Sequence, residues 1–338
     1  MSSEVNRQVF IVELPRGPLE ERHFELREAA RPEPGKGEVL TRTLYLSLDA
    51  ANRAWMQGAT YTAPVEAGAV MRGGTLSEVV ASDDPAFAPG DVVECASGWQ
   101  EYAVHRPVEL RRIEPRGPLT HHLSIYGGTG LTAYFGLLEV GQPSSGETVL
   151  VSAAAGAVGN VVGQIAKIHG CRVVGVAGSD AKCAWLTQEL GFDAAINYKA
   201  GPVYPAVKQA CPEGVDVYFD NTGGEILEAA LFRMKGRGRI VCCGVVSQYD
   251  TANPSPGPRG VPGLIVTKRL RMEGFIYADY DARRDVALDA LAGWAREGRL
   301  VAKEDIVEGI ESAPRGLIGL LHGENVGKRA VRLAPEAG

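Results

Sequence analysis

The sequence predicts an α/β fold in which a doubly wound parallel sheet follows a mostly β unit. Three observations carry this expectation. Up to about residue 125 apolar residues alternate at period two between Pro and Gly clusters; beyond it strands and amphipathic helices take turns. The first strand-to-helix turn, "VSAAAGAVGN" (151–160), is made of small residues where a strand would otherwise be closing its apolar face.

In the first part "VFIVEL", "GEVLTRTLYLSL", "GTLSEVVAS", "GDVVECAS" and "WQEYAVH" read as strands. "DDPAFAPGDVV" is a loop in which Pro89 and Gly90 turn the chain into a strand, as a β-barrel with short connections needs. "GGTGLTAYFGLLEVG" reads as one amphipathic helix. The strand "ETVLVSA" precedes a helix with Val158, Val161, Val162, Ile165 and Ala166 on one face. The strands "CRVVGVAG", "AAINY", "GVDVYFDN" and "GRIVCCGVV" then alternate with helices at "DAKCAWLTQELG", around "PAVKQAC" and at "GGEILEAALFRM". "TANPSPGPRGVPG", dense in Pro and Gly, reads as a linker or a functional loop, and its position just past a strand's carboxyl end favours function. One more strand at "LRMEGF", a helix from about 281 to 297 and a β/α tail ending in "KRAVRL" complete the chain.

The 338 residues, 45% hydrophobic and 22% charged, suit about two domains. A net charge of -6 offers no basic stripe for a phosphate backbone, so no nucleic acid is expected as a partner. "MSSEVNRQVFIVELPRG" lacks the apolar core of an export signal and no run suits a membrane span, so the expected location is cytoplasmic. The six cysteines, 95, 171, 183, 211, 242 and 243, form no CxxC and no Cys/His pair at zinc spacing, so no metal is expected. Adjacent Cys242 and Cys243 read as packing in a buried strand rather than as a reactive pair. The pairs His121–His122, Arg111–Arg112 and Arg283–Arg284 read as surface or loop residues.

The small-residue turn has a specific use. At the first strand-to-helix turn of a doubly wound sheet a pyrophosphate lies against the helix's free N–H groups, and the backbone must come close to it. Gly156 and Gly159 are spaced as the last two glycines of GxGxxG, with Ala154 in place of the first, and the backbone from Gly156 through Ala157 and Val158 to Gly159 would hold the phosphates. A dinucleotide site is expected; bare close packing is the other reading. An NAD site wants a carboxylate at the end of the next strand, whereas "VVGVAGSDAK" offers Gly178, Ser179 and then Lys182, which suit a 2'-phosphate. Asp180 dissents, although a Ser-Asp pair opening a helix is more simply its cap.

"AAGAVG", "GSDAKC", "GFDAAINYK", "VYFDNTGG", "GVVSQY", "LRMEGF" and "GENVGKRAV", in this order, resemble the zinc-independent medium-chain dehydrogenase/reductase family. That family includes the leukotriene B4 12-hydroxydehydrogenase/prostaglandin reductases, the plant alkenal double-bond reductases and bacterial curcumin reductase. The resemblance runs from "LYLSLD" through "GENVGK". It implies a Rossmann doubly wound domain, 126–304, inserted into a GroES-like mostly-β domain, 1–125 completed by 305–338. It also implies NADPH-dependent reduction of the carbon–carbon double bond of α,β-unsaturated ketones or aldehydes, and commonly a homodimer. By the same resemblance Lys182 and Tyr198 match the 2'-phosphate contacts, Asn221 the contact after the fourth strand, and Asn325 the contact near the nicotinamide. Cys243, Gly244 and the residues to Tyr249, together with Phe275, Ile276 and Tyr277, match segments that line the cofactor.

Without a metal, the enolate left by hydride transfer to the β-carbon needs a positioned hydrogen-bond donor. Tyr249, which matches the tyrosine of the family's "SxY" turn, is the candidate; it either donates that bond or only positions the cofactor. Relatives carry "DPYMR" where this chain has "DAANR", so Ala51 replaces a tyrosine of the substrate pocket, and Thr267 stands where some relatives carry a second. Tyr61 and Tyr126 are candidates for a replacement aromatic wall, the other reading being simple packing. The other functions that the sequence leaves open are a quinone reductase of the same superfamily and a non-catalytic NADPH-binding sensor.

Overall fold

The computed structural model describes residues 5–336; residues 1–4 and 337–338, the extremes of the expected β unit, lie outside them. Strands β1 (Val5–Ile11) and β2 (Phe24–Ala30) pair antiparallel. β3 (Val39–Ser47), β4 (Thr75–Ser82), β5 (Val92–Cys95), β6 (Tyr102–His105) and β7 (Arg111–Arg112) form a larger sheet, with helix α1 (Ala50–Trp55) leaving the end of β3. Leu46 of β3 packs with Val9, Ile11 and Trp99, while Leu44 and Tyr45 join Leu76 and Ala330 in a second cluster.

The second sheet is wholly parallel: β8 (Thr148–Val151), β9 (Arg172–Ala177), β10 (Ala194–Asn197), β11 (Val215–Asp220), β12 (Met234–Cys242) and β13 (Arg271–Gly274), in the order β10-β9-β8-β11-β12-β13. Its strands are joined through α3 (Ala157–Ile168), α4 (Asp180–Gln188), α5 (Val203–Ala210), α6 (Gly224–Arg233) and α7 (Val261–Lys268). Alternate strand residues serve opposite faces. Val149, Val217 and Phe219 pack against Val162 and Ile165 of α3, and Leu150 and Tyr218 against Val207 of α5 and Leu227 of α6. The chain order reverses between β8 and β11, which opens a crevice at their carboxyl ends. Two later strands, β14 (Glu304–Glu308) and β15 (Lys328–Arg332), return to the first sheet as its edge, in the order β14-β15-β3-β4-β5-β7 with β6 on β3. Between β13 and β15 lie α8 (Arg284–Arg296) and α9 (Ala313–Leu321).

Three elements differ from expectation. The helix expected over "GGTGLTAYFGLLEVG" is α2 (Gly128–Phe135) followed by a wider π-helical stretch, Gly136–Gly141. A Cβ at Gly136 would stand 2.3 Å from the Phe275 ring, and Arg239 and Arg271 take the carbonyls of Gly141 and Val140, so outside side chains compete for this helix's backbone. Helix α7 begins inside the expected Pro/Gly loop, because Gly260 (φ 70°) makes the entry turn and Pro262 is tolerated in a first helical turn. The helix expected from about 281 is 3-10 over Tyr277–Arg283 and α-helical only from Arg284.

Candidate active site

The turn from β8 into α3 is a cradle of backbone. Ala153 has φ 47°, Gly156 is the extended residue before the helix, and no side chain caps the helix start. A Cβ at Gly159 would lie 2.4 Å from the Ala153 carbonyl oxygen and 2.8 Å from the Ala154 Cα, so only glycine lets the first turn of α3 close onto the loop. Ala154 is itself fully buried, and a Cβ on Gly175 of β9 would reach its methyl at 2.9 Å. The turn is therefore thin, uncapped and positive at its helix end, which suits a pyrophosphate. The segment before β15 lies on it: Gly327 N–H donates to the Ala155 carbonyl (2.9 Å), and buried Asn325 donates to the Gly327 carbonyl (2.8 Å).

At the end of β9, Ser179 caps α4 by accepting the Lys182 N–H (3.3 Å), and Asp180 is turned to Asn197 (2.8 Å). That leaves Lys182 in the first turn of α4, with Tyr198 and Lys199 beside Gly178. A Cβ there would touch the Tyr198 ring and the Lys199 side chain, and the Lys199 ammonium lies 5.8 Å from the Tyr198 ring centre. Lys182 Nζ donates to the Gly323 carbonyl (2.6 Å). Its pKa is lowered, first by burial and then by Lys199 and Arg329 nearby. Lys199 and Arg329 outweigh Asp305, the one carboxylate that acts on Lys182, and this excess of positive charge fits a phosphate.

At the crevice, Asp220 organises the end of β11. Its Oδ1 accepts the Tyr218 hydroxyl (2.8 Å) and the N–H groups of Gly223 (2.8 Å) and Thr222 (3.0 Å), while burial raises its pKa. Asn221 donates its side-chain amide to the Ser152 carbonyl (2.7 Å), tying β11 to the glycine turn. The Cys243 and Gly244 N–H groups donate to the Asp220 carbonyl, which buckles the next turn onto this one. Burial pushes the thiol of Cys242 up to about 11 and that of Cys243 up to about 12, so both stay protonated and unreactive.

Tyr249 follows a single 3-10 turn, Val246–Gln248. Its phenol oxygen accepts the Val245 N–H (3.3 Å), so its own proton is free to be donated. Burial raises its pKa and the Val245 N–H opposes the rise; the net direction is upward, so the phenol is neutral at physiological pH. Burial raises the pKa of the Tyr61 and Tyr277 phenols, so both are neutral, as Tyr249 is. Burial pushes the Asp49 carboxyl up, but the Lys328 ammonium and Ser47 hydroxyl outweigh it and hold it low. Phe275 turns inward onto Phe219 and Gly136, while Ile276 is extended backbone entering the Tyr277 turn.

Tyr126 is not brought to this cleft. It is 3% exposed and packs edge-on against His121 and His122, in the neighbourhood of Arg116 and Arg296, so it serves as core rather than as pocket wall. The sequence reading missed Lys199, Ser152 and Asp220. Asp220, an acid ending an apolar strand, was the one with a visible signal. Among the described residues no group of three or more His, Cys, Asp or Glu could hold a metal ion.

Residues 7–113 match the family described as N-terminal domain of oxidoreductase, and 157–293 the one described as Zinc-binding dehydrogenase. The NADPH-dependent curcumin reductase of Escherichia coli is 42% identical over 336 residues, 97% of each chain. The 2-alkenal reductase (NADP(+)-dependent) of Nicotiana tabacum is 40% identical over 99% of this chain and 100% of its own. The crystal structure of CurA in complex with NADPH, from Vibrio vulnificus, superposes with a TM-score of 0.93 at 38% identity, covering 97% of this chain and 99% of that one. With these matches end to end, and with a parallel nucleotide-type sheet returned to a β sheet by its tail, this chain belongs to the medium-chain dehydrogenase/reductase family of oxidoreductases.

Proposed function

We propose that this protein is an NADPH-dependent reductase of the carbon–carbon double bond of small α,β-unsaturated ketones and aldehydes. The observation that carries the reading is the near full-length identity with a 2-alkenal reductase and a curcumin reductase, both named for NADP(H). The residues present fit that cofactor: a glycine cradle at an uncapped helix start, and the interacting ammonium groups of Lys182 and Lys199, the latter beside Tyr198, where an NAD site would have a carboxylate.

The backbone of Gly156, Ala157, Val158 and Gly159 would hold the pyrophosphate. Ser179, Lys182, Tyr198 and the neighbouring Lys199 would hold the 2'-phosphate, and Asn221, Cys243, Gly244, Phe275, Ile276, Tyr277 and Asn325 the nicotinamide half. When bound, NADPH supplies a hydride to the substrate's β-carbon. This chain supplies the hydrogen bond that the substrate oxygen needs as negative charge gathers on it, and we assign that donor to Tyr249. The phenol is neutral, carries a free proton and is already placed by the Val245 N–H, which avoids reorganisation during the reaction. Only a hydrogen bond is required of it; the proton that reaches the α-carbon comes from water. Tyr61 would form part of the substrate wall that Ala51 leaves open.

The same reading divides the chain into a GroES-like domain, 1–125 with 305–338, and a Rossmann domain, 126–304. It places the protein in the cytoplasm, where six free thiols stay reduced. It also makes the protein a homodimer through an edge strand of the parallel sheet, β10 or β13; light scattering on the purified chain should give the mass of two chains, and the mass of one would remove that assignment. The function is tested by following NADPH consumption, with product identification, over enones such as 3-penten-2-one, enals and quinones. Saturated ketones and aldehydes are the expected products; turnover confined to quinones would replace this reading by quinone reduction, and tight NADPH binding without turnover by a sensor.

A further inference from the structure

Two side chains from the β unit hold the turn that carries Tyr249, and no step of the reaction described above uses them. Arg53, in α1, is 1% exposed. Its Nε donates to Asp250 Oδ1 (3.1 Å) and its Nη2 to the Gly17 carbonyl (2.7 Å), and the same Oδ1 accepts the Leu19 N–H (2.7 Å). One turn further along, Gln57 Nε2 donates to the carbonyl oxygens of Tyr249 (2.9 Å) and Gln248 (3.3 Å). The Tyr249 main chain is therefore gripped at its own carbonyl and at the side chain of the next residue, while Val245 N–H holds the phenol end.

This arrangement is expensive for a merely structural contact. A guanidinium this deeply buried is costly unless fully paired, and Arg53 Nη1 has no hydrogen-bond partner. An apolar side chain would close the same interface without that cost. What an apolar residue could not do is fix the position of a carboxylate on the opposite unit to within a hydrogen bond.

We propose that Arg53 and Gln57 are positioning residues for the reduction. By fixing the peptide units on both sides of the Tyr249 Cα they set where the phenol stands, and they tie that place to the unit that carries Tyr61. The inference rests on Tyr249 being the donor. Donor placement is worth defending, since an error of about 1 Å in a reacting group costs about a hundredfold in rate.

The test uses Gln57→Leu, because Gln57 is exposed and the variant keeps its core, with Gln57→Lys as the variant that retains a donor and Asp250→Asn to weaken the Arg53 grip. Amide hydrogen exchange over residues 244–251 is measured on the NADPH-free protein, and kcat and KM for 3-penten-2-one are measured in the wild-type and Tyr249→Phe backgrounds. We expect faster exchange at the Val245 amide in Gln57→Leu and Asp250→Asn. We also expect kcat to fall about tenfold with little change in the KM for NADPH, near-complete rescue in Gln57→Lys, and no further loss once Tyr249 is Phe. Unchanged protection of 244–251, or the same fractional loss of kcat in both backgrounds, overturns the proposal. If the wild-type protein reduces no enone at all, the functional reading fails, and the exchange data alone decide whether the grip positions Tyr249.

Discussion

At the residue scale two side chains separate cofactor choice from chemistry. The charge of Lys199 acts on Lys182, whose lowered pKa reflects burial first and neighbouring positive charge second, which a phosphate dianion would relieve. Lys182→Ala removes one charge-assisted hydrogen bond, so the NADPH Kd should rise about ten- to a hundredfold, measured by fluorescence titration, while NADH binding stays nearly constant. Equal losses for both cofactors would mean that Lys182 supports the fold of the site and not the 2'-phosphate. Tyr249→Phe keeps the ring and removes the proton. Turnover should drop about a hundredfold with NADPH affinity nearly intact, as for the loss of one preorganised donor. Should affinity fall and turnover survive, the phenol only positions the cofactor. Because burial moves the Tyr249 pKa upward from its ordinary value of about 10, no loss of wild-type activity from its ionisation is expected below that pH.

At the scale of the elements, glycine has opposite meanings in two helices of the same sheet. In α3, Gly159 is pressed against the backbone of Ala153 and Ala154, and neither neighbour is the far end of a flexible side chain. Gly159→Ala must shift the turn itself, with an expected destabilisation of about 1–3 kcal/mol and loss of NADPH binding. In α8 nothing lies within 4 Å of a Cβ placed at Gly293, so Gly293→Ala should stabilise by about 0.5–1 kcal/mol without touching activity. Urea melts of the two variants measure both signs. The contrast also marks what the sequence discloses. The β8 turn is legible because its demand is local: a strand, two spaced glycines and an amphipathic helix all lie within about twenty residues. The π-helical stretch at Gly136 is not, because the rings that disturb it belong to Phe219 and Phe275. Nor is α7, whose Pro and Gly read as loop until their place in the first turn is seen. In the site the balance is the same. The phosphate-binding backbone follows from spacing, whereas Tyr249 needed a family likeness to be singled out. Tyr218, Thr222 and Gly223, which hold the Asp220 carboxylate, are local to it, whereas the Arg53–Asp250 pair depends on segments that meet only in the fold.

At the scale of the whole molecule, the segment from Leu119 to Gly127 carries the chain from one sheet to the other, and it contains a histidine that responds to acid. The His122 ring lies against Tyr126, and its Nε2 is buried without a hydrogen-bond partner. Burial is the main force against its cation, and the charged groups that face it, Arg116, His121 and Arg284, all add to it, so its pKa is pushed down to about 4. In the unfolded chain a histidine titrates near about 6.5. Between those values the unfolded state binds a proton that the folded state refuses, so stability is complete above about pH 6.5 and drains away as the pH falls towards 4. His169, lowered by burial and by Arg299, adds to the same window. Carboxylates act lower down. Glu147, for example, is pushed up by burial but held below its ordinary range by Arg239, and it releases its contribution only as the pH passes below about 4.3. The melting temperature of the wild-type protein should therefore already decline between pH 6.5 and 4.5, above the range in which Glu147 gives up its contribution. His122→Gln, which cannot take up the proton, should flatten that decline in part, leaving the share due to His169 and leaving the steeper fall at lower pH in place. An identical slope in wild type and His122→Gln across this window would show that the connector does not sense protons, and that acid loosens the molecule elsewhere.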